Sequence, residues 1–101
     1  MKEIIQSETF RTWAAGLRDL RAQATIAARL LRLVRGISGD VAPVGGGIYE
    51  LRIHFGPGYR LYYLQHSLTC IVLLCGADKS TQARDIRNAK LLARQWKDTH
   101  V

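Results

Sequence analysis

The segment 48–55 decides the fold, and its sequence is Ile-Tyr-Glu-Leu-Arg-Ile-His-Phe. Apolar and polar side chains alternate from Tyr49 to Phe55, which is the period of a β-strand with one buried face. Three polar side chains share the other face of that strand: Glu50, Arg52 and His54. The residues 56–58, Gly-Pro-Gly, follow at once and predict a turn, so that a second strand over 59–65 completes a hairpin.

The chain after this hairpin adds a third strand, and the chain before it is rich in glycine. The turn 66–68 leads into the segment 69–75, which is almost entirely apolar and therefore typical of a central strand covered on both faces. Three consecutive strands with tight turns predict an antiparallel meander. The segment 36–47 contains five glycines and a proline and is expected to be a loop. No Gly-Lys-Ser or Gly-Lys-Thr follows it, which argues against a P-loop nucleotide site.

The rest of the chain has helical periodicity. A short opening strand over 2–6 precedes two helices, over about 8–17 and 20–35, whose apolar residues recur at intervals of three and four. The residues predicted to cap these helices are Ser7 and Asp19. The short connection predicts an antiparallel helical hairpin, and a last helix starts at Ser80 or Thr81. The sequence thus predicts an α+β fold of order βααβββα, with a small antiparallel sheet flanked by the hairpin and the C-terminal helix.

The composition is that of an ordinary globular domain. The chain has 101 residues, of which 48% are hydrophobic and 23% charged, so we expect a single domain over 1–101. No apolar run approaches the ~20 residues of a membrane span, and the polar start is unlike a signal peptide. Cys70 and Cys75 lie on opposite faces of one predicted strand, so we expect both to be reduced. These features predict a cytoplasmic protein without membrane contact.

The net charge is strongly positive. The chain has 15 Lys and Arg against 8 Asp and Glu, which gives +7. A small basic domain attracts nucleic acid or an acidic protein partner. Four arginines form a stripe on the second helix, opposite its apolar face: Arg21, Arg29, Arg32 and Arg35. We expect this stripe to be solvated or to contact an acidic partner.

The polar face of the first hairpin is the best candidate site. If three residues form the turn, His54 lies opposite Arg60, and Arg52 lies opposite Tyr62. Arg60 and Tyr62 then join Glu50, Arg52 and His54 in one polar patch. A shift by one residue sends Arg60 and Tyr62 to the other face, and the sequence leaves the register open. Opposed arginines repel each other unless they share an anion, for which a phosphate is suited. A neighbouring histidine can transfer protons near neutral pH.

A second candidate precedes the last helix. Lys79, with Ser80 or Thr81, stands where free backbone amides at a helix start favour an anion. The alternative is an exposed lysine beside Asp78. The chain shows no Ser-His-Asp arrangement and no metal-ligand spacing, so we expect chemistry without a metal or another cofactor.

Several segments, which together extend from about residue 10 to 93, resemble toxins of the RelE/ParE superfamily. The similarity is to its HigB-like branch, the phage-derived addiction module killer proteins. The segments that carry this resemblance are Arg18-Asp19, Gly39-Asp40, 49–53, 56–60, 74–82 and Asp85-Ile86. The combination of 50–60 with 76–82 is the most specific part of it.

The resemblance implies a toxin of a bacterial type II toxin–antitoxin module. RelE-like and HigB-like members are metal-independent endoribonucleases that cut mRNA on the ribosome and so inhibit translation. A cognate antitoxin, often a helix-turn-helix protein, neutralises the toxin, and operator DNA is bound only through the complex of the two. ParE-like members inhibit DNA gyrase instead, and a disarmed toxin that retains only antitoxin binding is a third reading.

The resemblance also assigns roles to individual residues. Arg60 matches the arginine that contacts the scissile phosphate, Arg52 a catalytic basic residue and Lys79 a basic phosphate contact. Glu50 departs from the pattern, because it is acidic where RelE-like toxins are basic. A late tyrosine or histidine is also missing: Ile86 takes the corresponding place, and His100 lies far beyond it.

These assignments define a mechanism of RNA cleavage. The ribose 2′-oxygen attacks the adjacent phosphate, and the protein accepts the 2′-proton and stabilises the phosphorane. His54 is the expected proton-transfer group, with Glu50 as the alternative. Arg52, Arg60 and Lys79 hold the transition-state charge. Tyr62 is expected to position a base.

Overall fold

A computed structural model describes residues 1–100, which form one mixed sheet and three α-helices. The strands are β1 (Glu3–Gln6), β2 (Val41–Gly45), β3 (Ile48–Ile53), β4 (Tyr59–Ser67) and β5 (Cys70–Asp78). The helices are α1 (Glu8–Ala15), α2 (Leu20–Val34) and α3 (Gln82–Thr99), and a 3-10 turn, Lys79–Thr81, leads into α3. The strand order is β1-β5-β4-β3-β2. Only β1 runs parallel to its neighbour, β5.

The α+β class is confirmed, but the predicted order and the antiparallel sheet are not matched. Residues expected to form a loop include β2, which pairs with β3 through Val41 opposite Leu51 and Ala42 opposite Glu50. Pro43 is tolerated because β2 is an edge strand. The glycines belong to the turn that follows: Gly46 and its two neighbours have φ values of 98°, 65° and 77°, which side chains disfavour.

The two N-terminal helices begin where the sequence predicts. The Ser7 hydroxyl accepts a hydrogen bond from the Phe10 amide at 3.0 Å, and the Asp19 carboxylate accepts one from the Arg21 amide at 2.9 Å. The predicted opening strand is present as β1, but the predicted antiparallel hairpin of α1 and α2 is not matched, because the main contacts of α1 are with β5. No helix in the part of the chain that the structure describes is long and apolar enough to cross a membrane.

The sheet separates two apolar clusters. One lies on the side of α1 and α2, around Phe10 and Leu73, and the other on the side of α3, around Tyr62 and Leu74. The residues 71–75 of β5 are buried, as expected for a central strand. Both cysteines are free thiols, as predicted, although Cys70 is only half-buried. Burial raises the pKa of the Cys75 thiol to about 12.

Candidate functional site

The register of β3 and β4 places the two candidate arginines directly opposite each other. Arg52 pairs with Arg60, and Glu50 pairs with Tyr62. A three-residue turn would have placed His54 opposite Arg60, so the observed register is shifted by two residues. An even shift leaves every side chain on its predicted face, so the four residues share one face of the hairpin.

Glu50 lies at the centre of this face with its side chain fully buried. Its Oε1 accepts hydrogen bonds from Arg52 Nε at 3.0 Å and Arg60 Nη1 at 3.2 Å. Its Oε2 accepts hydrogen bonds from the Tyr62 hydroxyl at 2.9 Å and from Gln82 Nε2, at the start of α3, at 2.8 Å. Each carboxylate oxygen therefore accepts two donors, which compensates for the loss of solvent.

This environment keeps the Glu50 carboxyl ionised. Burial alone raises its pKa, but the hydrogen bonds from Gln82, Arg52 and Tyr62 and the charge of Arg60 lower the pKa by more, to below its ordinary value. The Glu50 hydrogen bond raises the pKa of Arg52 in turn. Burial, together with the Glu50 carboxylate, raises the pKa of Tyr62.

The anion that the opposed arginines need is thus supplied by the protein itself. Because Glu50 uses one donor of each guanidinium, the remaining donors are held in fixed orientations. The side chain of Arg52 is 35% exposed and that of Arg60 is 17% exposed, so both reach the surface. The structure revises two expected roles: Glu50 is too deeply buried to take a proton from RNA, and the fully buried Tyr62 has no surface on which a base could stack.

His54 lies just beyond the end of β3 and pairs with a residue that the sequence did not nominate for the site. Its Nε2 is 2.5 Å from the Oδ2 of Asp40, and the hydrogen bond with His54 lowers the pKa of Asp40. Asp40 Oδ1 is also 3.6 Å from Arg52 Nη1. Asp40 therefore connects the histidine to the arginine pair, and His54 remains 73% exposed.

An open cleft of about 370 Å³ lies beside the β3–β4 turn. Three of the side chains that line it are cationic or able to become so: His54, Arg60 and Lys79. Lys79 lies across Gly58, where a Cβ atom would be 3.0 Å from its Cδ. Gly58 has φ 81°, so the turn needs glycine both for its backbone and for this contact.

The expected anion site at the start of the last helix is already occupied by Asp78. Its carboxylate accepts hydrogen bonds from the Ser80 amide, at 2.8 Å, and from the Ser80 hydroxyl. The hydroxyl bond, followed by the amide bond, lowers the pKa of Asp78. Lys79 therefore lines the cleft and is not part of a helix-terminal anion site.

The arginine stripe on α2 loses one of its four members. Arg29 Nη1 donates a hydrogen bond to the carbonyl oxygen of Arg52 at 2.7 Å, and its Nη2 donates one to that of Ser38 at 3.4 Å. Arg29 thus fixes the backbone of the candidate site. Arg21, Arg32 and Arg35 remain exposed.

Sequence reasoning missed three residues that support the site. Asp40, Arg29 and Gln82 each reach the hairpin from another element, at sequence separations of 14, 23 and 32 residues. No local period reveals such contacts. Asp40 and Gln82 lie in segments that carry the resemblance, and Arg29 belongs to the arginine stripe, but none of these signals connects the three residues to the hairpin.

The fold and the site define a small basic α+β protein in which a buried carboxylate holds an arginine pair. Residues 1–100 contain no group of three or more His, Cys, Asp or Glu placed to bind a metal ion. No family model matches the chain. The chain is 51% identical over 87 residues to a protein of Haemophilus influenzae described as uncharacterized, which covers 86% of this chain and 88% of the other. The chain belongs to the same family as that protein.

Proposed function

We propose that the protein is a toxin of the RelE/ParE type and a metal-independent, ribosome-dependent mRNA endoribonuclease. The observation that carries this proposal is the cleft in which His54, Arg60 and Lys79 meet, with Arg52 held beside them. An open surface that combines guanidinium, ammonium and imidazole groups suits a phosphodiester and a proton transfer. The net charge of +7 supports attraction to RNA.

In this mechanism the ribose 2′-oxygen bonds to the phosphorus and the bond to the 5′-oxygen breaks. The products are a 2′,3′-cyclic phosphate and a 5′-hydroxyl, whose oxygen takes its proton from a water molecule as the bond to phosphorus breaks. His54 accepts the 2′-proton through Nδ1, because Asp40 holds its Nε2. Arg60 and Lys79 stabilise the negative charge of the phosphorane, and Arg52 contributes to this stabilisation. Glu50 and Tyr62 set the positions of the arginines and do not touch RNA.

The same proposal includes a cognate antitoxin, of the helix-turn-helix kind, through which operator DNA is bound. The exposed arginines Arg21, Arg32 and Arg35 on α2 suit an acidic segment of such a partner. The resemblance in sequence and the positive charge support this part of the proposal. The proposal also includes a location in the cytoplasm, where mRNA and the ribosome are found.

A reconstituted translation reaction tests the proposal, with mRNA ends mapped by primer extension in the presence and absence of ribosomes. We expect cuts that need ribosomes. Arg60→Ala and Lys79→Ala each remove one electrostatic contact and should slow cutting by on the order of 100-fold. Arg35→Ala, at the residue that directly follows α2, removes the same charge far from the cleft and should leave the rate within about twofold.

Two outcomes contradict the proposal. Intact mRNA together with inhibited supercoiling by purified DNA gyrase assigns the protein to the ParE-like inhibitors. Intact mRNA with normal translation and supercoiling assigns it to toxins that keep only antitoxin binding. In both cases the arginine pair belongs to a binding surface.

A further inference from the structure

A second cationic groove lies on the side of the sheet that α3 covers, away from the β3–β4 turn. Three side chains of α3 line it, at spacings of four and three residues, which places them on one helical face: Lys90, Arg94 and Lys97. Gly46, in the β2–β3 turn, and Ile48, the first residue of β3, form the opposite wall, and the groove encloses about 220 Å³.

The local structure keeps this groove open. Ala89 and Ala93 of α3 are buried, and their small size lets the helix lie close to the sheet. The turn opposite carries no side chain at Gly45, where a Cβ atom would be 3.4 Å from Lys90 Nζ. The cations therefore face bare backbone and an isoleucine instead of a carboxylate.

The charges of this groove differ from those of the arginine pair. Among the described residues, none of the three cations has a carboxylate within the 4.0 Å of an ion pair or a side-chain hydrogen bond. Arg52 and Arg60, in contrast, both form an ion pair with Glu50. Like charges one helical turn apart repel each other, so an external anion stabilises the groove.

The shape of the groove fits a polyanion better than a small ligand. The lining has no buried polar side chain that would orient a small molecule, and the cations extend over roughly 10 Å of helix. The phosphates of a nucleic acid strand form a continuous row of negative charges, which a row of three cations on one helical face can contact.

The position of the groove links it to the first site. Ile48 in the groove and Arg52 in the arginine pair lie on the same face of β3, roughly 13 Å apart. α3 follows that face from Gln82, which contacts Glu50, to the groove at Lys97. We propose that the groove binds the sugar-phosphate backbone of an RNA strand whose path continues to the arginine pair. The choice of RNA rests on the proposed function.

A binding measurement with a matched control tests this inference. The probe is a fluorescently labelled single-stranded oligouridine, titrated by anisotropy at several salt concentrations. The groove variant carries Lys90→Gln, Arg94→Gln and Lys97→Gln, and the control carries Arg21→Gln, Arg32→Gln and Arg35→Gln. Both lose three exposed charges: the groove variant loses all three from α3, and the control loses two from α2 and one from Arg35, which directly follows α2. Circular dichroism confirms that each variant is folded, and the single variant Lys97→Glu replaces the triple variant if that one does not fold.

We expect the groove variant to bind RNA at least tenfold more weakly at low salt. The slope of the logarithm of its association constant against the logarithm of the salt concentration should be smaller in magnitude by about 2. Each phosphate contact on a single strand contributes about 0.7 to that slope, and the variant loses three cations. The control should bind within about twofold of the wild type. Equal weakening in both variants overturns the inference, because binding then follows net charge alone. A second titration uses polyglutamate as the probe. If the groove variant loses polyglutamate binding as strongly as RNA binding, the inference is overturned in favour of an acidic protein partner.

The outcome is independent of the cleavage assay. Groove-dependent RNA binding without ribosome-dependent cuts contradicts the proposed function and leaves the groove assigned to RNA. Ribosome-dependent cuts with RNA binding unchanged in the groove variant overturn the inference alone.

Discussion

At the scale of single residues, Glu50 connects the charged and polar side chains of the candidate site. It brings a negative charge under two facing guanidiniums, and all four of its hydrogen bonds come from side chains of β3, β4 and α3. A buried ion pair adds little to stability compared with apolar packing, but the removal of one partner leaves uncompensated charge. The role of Glu50 is therefore to fix the arginines.

Glu50→Gln tests this role directly. The amide keeps the volume but loses the charge, so Arg52 and Arg60 face each other without the buried carboxylate that joins them. We expect the free energy of unfolding to fall by about 2–3 kcal/mol, less than for a fully buried pair because both guanidiniums reach solvent. Urea denaturation measures the change. Glu8→Gln, at the exposed start of α1, is the control, and an equal loss there would contradict a special role for Glu50.

The lowered pKa of Glu50 also predicts how stability depends on pH. A carboxyl with a lower pKa in the folded state stabilises the protein fully above its ordinary value of 4.5, and this contribution is lost as the pH falls through the lower, folded-state value. Urea midpoints measured from about pH 6 to pH 3 should therefore fall less steeply in Glu50→Gln than in the wild type. Parallel curves for the two proteins would show that other carboxyls dominate.

At the scale of elements, the contact between α1 and β5 depends on a missing side chain. The indole of Trp13 lies directly over Gly76, where a methyl group would overlap the ring. Gly76 has an ordinary backbone conformation, so its small size is what the packing requires. Tyr59 meets the same indole edge to face, with ring centroids 6.1 Å apart.

Gly76→Ala should therefore displace Trp13 and destabilise the protein by about 1–3 kcal/mol. Thermal unfolding measures the loss. Trp13→Leu removes the overlap, so adding Gly76→Ala to it should cost less than adding it to the wild type. If the two substitutions have strictly additive effects, the overlap is not the cause.

The elements also show what local sequence patterns could and could not predict. Periodicity and capping located α1, α2, β3, β4 and β5, because those signals lie within each segment. They missed β2, whose pairing with β3 overrides the glycine and proline around it. The face shared by Glu50, Arg52, Arg60 and Tyr62 followed from the period of two. The burial of Glu50 could not be predicted from this period, because Glu50 is covered in part by Gln82, which lies 32 residues away in the sequence.

At the scale of the whole molecule, β1 joins the start of the chain to the interior strand β5 and closes both cores. Ile4 packs against the cluster on the side of α1 and α2, and Ile5 packs against the cluster on the side of α3. β1 also covers the edge of β5, whose residues 71–75 are apolar and buried. An uncovered apolar edge of this kind promotes pairing with other chains.

The double substitution Ile4→Ser and Ile5→Ser should open this edge. Both side chains are half-buried, so we expect a loss of about 2 kcal/mol in the free energy of unfolding. Amides of β5 should then exchange hydrogen faster than those of β3, because β4 still separates β3 from the open edge. Val44→Ser, in the edge strand on the opposite side, should leave the β5 amides protected relative to β3. Equal acceleration across the sheet in the double variant would mean that β1 contributes only to global stability, and that β5 does not depend on it for cover.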